Sequence, residues 1–282
     1  MSWLTGLGYL LFAPVVGGLL AGIDRKVTAR MQGRIGPPIF QPFYDVGKLF
    51  QKETLVVRRS QNLYMKFFVL LTIFTGTLLF SGGDILLVIF SLTLAGVFFV
   101  LGGFKASSPY SFIGAQREAL QMMAYEPAVI LAAVGMYMVT KSFQTSVIVA
   151  FPHPLIKDLP GLFFAFFFIL SIKFRKSPFD LATSHHAHQE IVKGITTEFS
   201  GRTLGFMEIA HWYEYVFVLG LVYLFFASNV LFGIAMTFLV FLSQLVIDNA
   251  TARVRWQWMS AGAWIVALLA GGANIIYLMI RG

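Results

Sequence analysis

Apolar runs of roughly 20 residues recur along the chain, separated by polar links. Eight of them approach the length that a hydrocarbon core demands of a helix: 2–23, 63–81, 84–104, 119–140, 159–173, 207–227, 229–248 and 258–280. The fifth is short if it stops at Ile172. The pattern predicts an all-α polytopic membrane protein with about eight transmembrane helices, forming a single membrane domain over 1–282. The first run has neither a basic leader nor a small-residue cleavage site, so it reads as a retained span. Two links, 24–62 and 174–206, are long and polar, and loops of that length on one face are expected to carry function. The link 141–158 holds "FPHPLIKDLP", whose prolines predict a turn-rich surface loop with His153 in solvent.

Composition agrees. The chain is 57% hydrophobic and 12% charged, about half the charge of a soluble domain. A net charge of +8 would suggest nucleic acid in a soluble protein; here the basic residues flank spans instead, and no nucleic acid is expected. With the N-terminus outside, every Lys and Arg except Lys141, Lys157 and Arg281 falls on the inner loops or their flanks, 18 of 21. That asymmetry places the long loops in the cytoplasm, the chain being multi-pass in the inner (cytoplasmic) membrane. There is no cysteine, so no thiolate cluster or nickel site can be ligated by this chain. Any electrons move in a partner.

The acids are out of place. A carboxylate in the middle of a span costs about 2.5–3.5 kcal/mol on insertion scales. Yet Glu118 and Glu126 lie at and in the fourth span, Glu208 and Glu214 at the start of the sixth, and Asp180, Glu190 and Glu198 in the loop before it. Glu118 and Glu126 share a helical stripe about 12 Å apart, too far for a single proton hop, and Pro127 removes a backbone donor between the halves of that helix. Glu208 and Glu214 point roughly 120° apart, with His211 between them. Such acids either pin helices by pairing with Arg117, Lys193 or Arg202, or line a hydrated proton path; their number on one side favours the path, with Arg117 as charge partner. His185, His186 and His188 crowd into "SHHAHQ". This is a weak metal pattern without HExxH and reads better as partner contact or proton relay; no metal is assigned.

The first inner loop, "DRKVTARMQGRIGPPIFQPFYDVGKLFQKE", is followed in order by "GAQREALQMMAYE", by Pro178-Phe179-Asp180, by "EIVKGITTEFSG" and by Glu214-Tyr215. These motifs resemble the family of H-type subunits of complex I, the eight-span subunits at the junction of its membrane and peripheral arms. The resemblance covers about residues 24 to 215. Two departures matter. Only three residues separate Gly36-Pro37 from Gln41-Pro42, where quinone-reducing members have about nine. The acid-rich run after Asp180 is replaced by "LATSHHAHQ". Both departures argue against a quinone headgroup site, and the Ser-His-His-Ala-His-Gln-Glu pattern resembles the Ech-type energy-converting [NiFe] hydrogenases. The resemblance implies an eight-span membrane-anchor and ion-coupling subunit with no catalytic centre or cofactor of its own. Its implied partners are the [NiFe] hydrogenase large and small subunits, an iron–sulfur subunit, an antiporter-like membrane subunit and lipids. The [NiFe] centre and iron–sulfur clusters would lie in those partners, with ferredoxin as electron donor. Arg117, Glu118, Glu126, Asp180, Glu190, Glu198, Glu208 and Glu214 would carry or couple protons. Arg34, Pro37, Asp45, Lys48, Lys52, His185, His186 and His188 would dock the soluble arm. A quinone-site subunit of complex I and an independent transporter remain as alternatives.

Overall fold

The computed structural model describes residues 3–55, 59–179, 182 and 191–281. Its elements are α1 (Trp3–Met31), α2 (Gln41–Gln51), α3 (Arg59–Ser81), α4 (Ile85–Phe104), α5 (Pro109–Thr140), the short α6 (Thr145–Val149), α7 (Pro160–Lys173), α8 (Gly201–Leu224), α9 (Val230–Ala250), α10 (Trp256–Val266) and α11 (Gly272–Arg281). A π turn over Ala267–Gly271 joins the last two into one rod of 26 residues. Among the described residues, six helices are long and apolar enough to cross a membrane. The other two of the eight expected are α7, only 14 residues, and α8, whose 24 residues include Glu208, His211 and Glu214. Outward-facing Leu11, Phe12, Leu231, Leu239 and Ile280 are largely exposed. A soluble protein rarely presents such a surface; a lipid-facing one requires it.

The helix ends differ from the hydropathy pattern in an instructive way. α1 runs eight residues beyond the apolar stretch, and α5 starts ten residues before it. Hydropathy counting stops at the first charges, but backbone hydrogen bonding continues through them. Ser108 accepts from the Ser111 amide at 3.5 Å with Pro109 in the first turn, a start signal independent of hydropathy. α5 continues through Pro127. The loop 141–158 is not a mere surface turn: Leu155 and Leu159 are buried, the Ile156 amide donates to Phe225 O at 3.1 Å, and His153 Nδ1 lies 3.5 Å from Asp158.

Contacts sort the helix ends. Ser200 Oγ exchanges hydrogen bonds with both backbone groups of Leu55, at 2.9 Å each. Tyr110 Oη does the same with Val192, at 2.9 and 2.7 Å. Gly201, at φ +50°, lies where a Cβ would meet the Glu53 carbonyl. The two long polar loops are thus laced together at one end of the bundle. α2 lies there on α1 and α8, with the Phe43 ring 5.1 Å from Trp212.

Candidate functional site

α7 ends at that same end, and its ending builds the site. The Lys176 amide donates to Ser171 O at 2.9 Å and the Arg175 amide to Ile172 O at 3.0 Å, with Arg175 at φ +56°. This is the paired-bond reversal with which many helices finish, and its left-handed position usually takes glycine. An L-residue there is strained by about 1–2 kcal/mol. The reversal turns three cations, Lys173, Arg175 and Lys176, toward different neighbours within four positions.

Lys173 Nζ donates to Glu214 on α8 at 3.1 Å and sits 4.1 Å above the ring of Tyr125 on α5. Arg175 reaches Glu118 on α5 at 3.4 Å and lies over Phe99 of α4. Lys176 bridges Asp24 on α1 at 2.7 Å and Asp248 on α9 at 3.5 Å; Asp248 also accepts from the Ser177 amide at 2.7 Å. Ser171 donates to Gln244 on α9 at 2.8 Å, and Gln244 donates to Phe167 O at 3.1 Å. One segment therefore ties α1, α5, α8 and α9 through ion pairs. Among the described residues, these ion pairs bring three cations together with four acids.

The residues expected from sequence distribute around this hub. Glu118 and Glu214 are members. Glu126 is on α5, two turns further along, with a buried Oε1 that finds no hydrogen-bond partner among the described residues. Glu208 on α8 is half-buried and within electrostatic reach of Arg25 and Arg175. Arg117 stacks on Trp256, its Cζ 5.8 Å from the ring centroid. Glu198 is half-buried in the short stretch before α8. Asp180, His185, His186, His188 and Glu190 lie outside the described residues. Sequence reasoning treats Lys173, Arg175 and Lys176 only as orientation charges and misses Asp24, Asp248 and Tyr125. The available signal is three cations in four residues after an apolar helix too short to span.

In the first loop, Arg34, Lys48 and Lys52 are exposed, with Ile35, Phe40 and Tyr44 beside them, and Pro37 is half-buried. Arg34 also donates to Gln32. Asp45 accepts from Arg25 at 2.6 Å and Gln41 at 2.9 Å. Partial burial pushes its carboxyl upward, but the bonds from Arg25 and Gln41 and the charges of Arg25 and Lys48 outweigh that and hold it below the usual aspartate value.

A bundle of membrane-length helices around a buried charge hub, with basic loops laced at one end, defines a polytopic membrane protein with ionisable groups held in its interior. Residues 5–279 match the NADH dehydrogenase family, and the chain belongs to it. It is 30% identical over 242 residues to the H-type subunit of NADH-quinone oxidoreductase from Bacillus cytotoxicus, covering 77% of this chain and 70% of that one. It is 27% identical over 299 residues to Hydrogenase-4 component C of Escherichia coli, covering 92% and 91%. A chain of the membrane-bound sulfane sulfur reductase, an archaeal respiratory membrane complex, superposes with a TM-score of 0.86 at 26% identity, covering 98% of both chains.

Proposed function

We propose that this chain is the membrane-anchor and ion-coupling subunit of a ferredoxin-linked, membrane-bound [NiFe] hydrogenase, seated in the inner membrane with its long loops in the cytoplasm. The observation that carries the reading is the hub. Among the described residues several acids share a few cations where charge is costly, an arrangement that supports proton uptake and release by the cluster. A change in the soluble arm that moves the laced loops reaches the hub through α8, which begins beside the Ser200–Leu55 contact and carries Glu214, the partner of Lys173. Glu118, Glu126 and Glu214 then pass protons, or select sodium ions, toward an antiporter-like membrane partner. Glu198, Asp180 and Glu190 form the loop-side part of the same path.

The redox centres belong to partners in this reading: the [NiFe] large subunit, the small subunit and an iron–sulfur subunit. This chain has no cysteine with which to hold a cluster. Arg34, Lys48, Lys52 and the exposed apolar residues beside them offer the arm a mixed basic and apolar surface, with the three histidines of the second loop as further contacts. The shortened link supports a partner that sends no quinone through this chain. Ile39 lies against Gly22, and Phe43 packs on Gly18 and Trp212, filling the groove between α1 and α2.

The test is purification in mild detergent with metal analysis, then turnover in inverted vesicles. Nickel in the preparation, hydrogen evolution from reduced ferredoxin and coupled ion uptake are expected. Absence of nickel with sulfur-reducing activity would instead establish the second reading, a sulfur-reducing arm, which the full-length match to the sulfane sulfur reductase chain favours.

A further inference from the structure

α7 has 14 residues, about 21 Å at 1.5 Å per residue, against a hydrocarbon core of about 30 Å. It cannot reach both faces, so its first amides need partners inside the protein. Its cap position is Leu159, whose side chain offers none. Pro160 has no N–H, and the Phe163 amide bonds to Leu159 O at 2.9 Å. The remaining two amides, Gly161 and Leu162, both donate to the side-chain oxygen of Asn274 on α11, at 2.8 and 3.2 Å. The Asn274 amide group donates in turn to Asp158 O at 2.9 Å. Asn274 is buried and thus does from another helix what a capping Ser or Asp ordinarily does from the preceding residue.

The local architecture is built around this clasp. The π turn at Ala267–Gly271 lies one helical turn before Asn274 and shifts the phase of α11 relative to α10. Gly161 fits there because a Cβ would strike the Ala270 carbonyl. Arg281 at the end of the same helix approaches Asp158 at 3.7 Å. A helix is stiff along its axis, so fixing Gly161 fixes the height of Lys173 twelve residues later, with Gln244 gripping the far end.

We infer that Asn274 is a positioning residue for the ion-coupling hub: by capping α7 across the membrane domain it sets the axial register of Lys173, Arg175 and Lys176 against their acids. This rests on the coupling function proposed above. The readout is the number of ions moved per electron in vesicles holding the whole complex, which does not change merely because less complex assembles. Asn274→Ala should lower that ratio at least two-fold. Asn274→Asp keeps an oxygen for both amides and should recover most of it. Lys173→Met in the same vesicles should lower the ratio as a control on the hub itself. If Asn274→Ala fails to assemble, Asn274→Ser, with its acceptor one bond short, takes its place and is read the same way. A reduced ratio with Lys173→Met but a normal one with Asn274→Ala, or no recovery with Asn274→Asp, overturns the inference alone. A normal ratio with Lys173→Met overturns the coupling role of the hub and the inference with it.

Discussion

Lys176, only 4% exposed, holds Asp24 at 2.7 Å, whereas nearby Arg25, 45% exposed, holds Asp45 at 2.6 Å. The distances are nearly the same. What differs is how much water each pair has lost. The buried pair has given up hydration and depends on its partners; the exposed one exchanges protein contacts for water at little net gain. Charge burial, rather than proximity, therefore separates the hub from the first loop, and it fixes the order of the effects that mutation should produce.

The largest effect belongs to Lys176. Lys176→Ala leaves Asp24 and Asp248 buried without their cation, a loss of about 3–5 kcal/mol for a broken buried pair. Little intact complex should survive mild detergent extraction. The sharper experiment adds Asp24→Asn and Asp248→Asn to Lys176→Met. That combination neutralises the Lys176 cluster while leaving the Lys173–Glu214 and Arg175–Glu118 pairs in place, and should restore assembly while coupling stays impaired. If assembly is not restored, charge burial is not what distinguishes the hub.

Glu126 comes next, and it tests function rather than assembly. Its Oε1 already lacks a hydrogen-bond partner among the described residues, so Glu126→Gln should change stability by less than about 1 kcal/mol. With the proposed coupling function, ion uptake coupled to turnover should nevertheless fall several-fold, while redox turnover in detergent survives. Unchanged uptake would remove Glu126 from the path.

The sequence exposed the helices more readily than the hub. Spans, the segregation of Lys and Arg, and the misplaced acids all follow from the cost of polarity in lipid, which acts residue by residue. Asp84 and Asn229 sit at the starts of their helices, accepting from the Leu86 and Leu231 amides at 2.7 and 3.0 Å, close to where hydropathy alone puts those starts. Partnership is different, because it depends on the turn that follows α7. Nothing in "KFRK" says that Arg175 adopts a left-handed backbone, since glycine is the residue that announces such a turn. Without that reversal, Lys173, Arg175 and Lys176 read as interchangeable flanking charges. The capping of α7 is hidden for a related reason: its acceptor, Asn274, lies 113 residues from Gly161.

A weaker contrast lies within the first loop itself, between its exposed cations and the one engaged by Asp45. Lys48→Glu with Lys52→Glu should loosen the soluble arm by roughly ten-fold at low salt and by less at high salt, since exposed charges are screened beyond about 10 Å at 0.1 M. Retention of the arm on the membrane during salt washes reads this out. A salt-independent loss would mean that Ile35, Phe40 and Tyr44 carry the contact instead.

Asp45→Asn should have the smallest effect, below about 1 kcal/mol, because the pair it breaks is exposed. Its sign with pH is still fixed. A carboxyl held below its ordinary value binds its proton less readily folded than unfolded, so it contributes stability above the unfolded value of about 3.9. That contribution disappears as pH falls through the lower folded value. The unfolding temperatures of wild-type and Asp45→Asn complexes in detergent should therefore differ slightly near neutral pH and converge in acid. A gap that widens in acid would mean that the Arg25 and Gln41 bonds do not hold Asp45 ionised, and the loop would then lose its claim to a preformed arrangement.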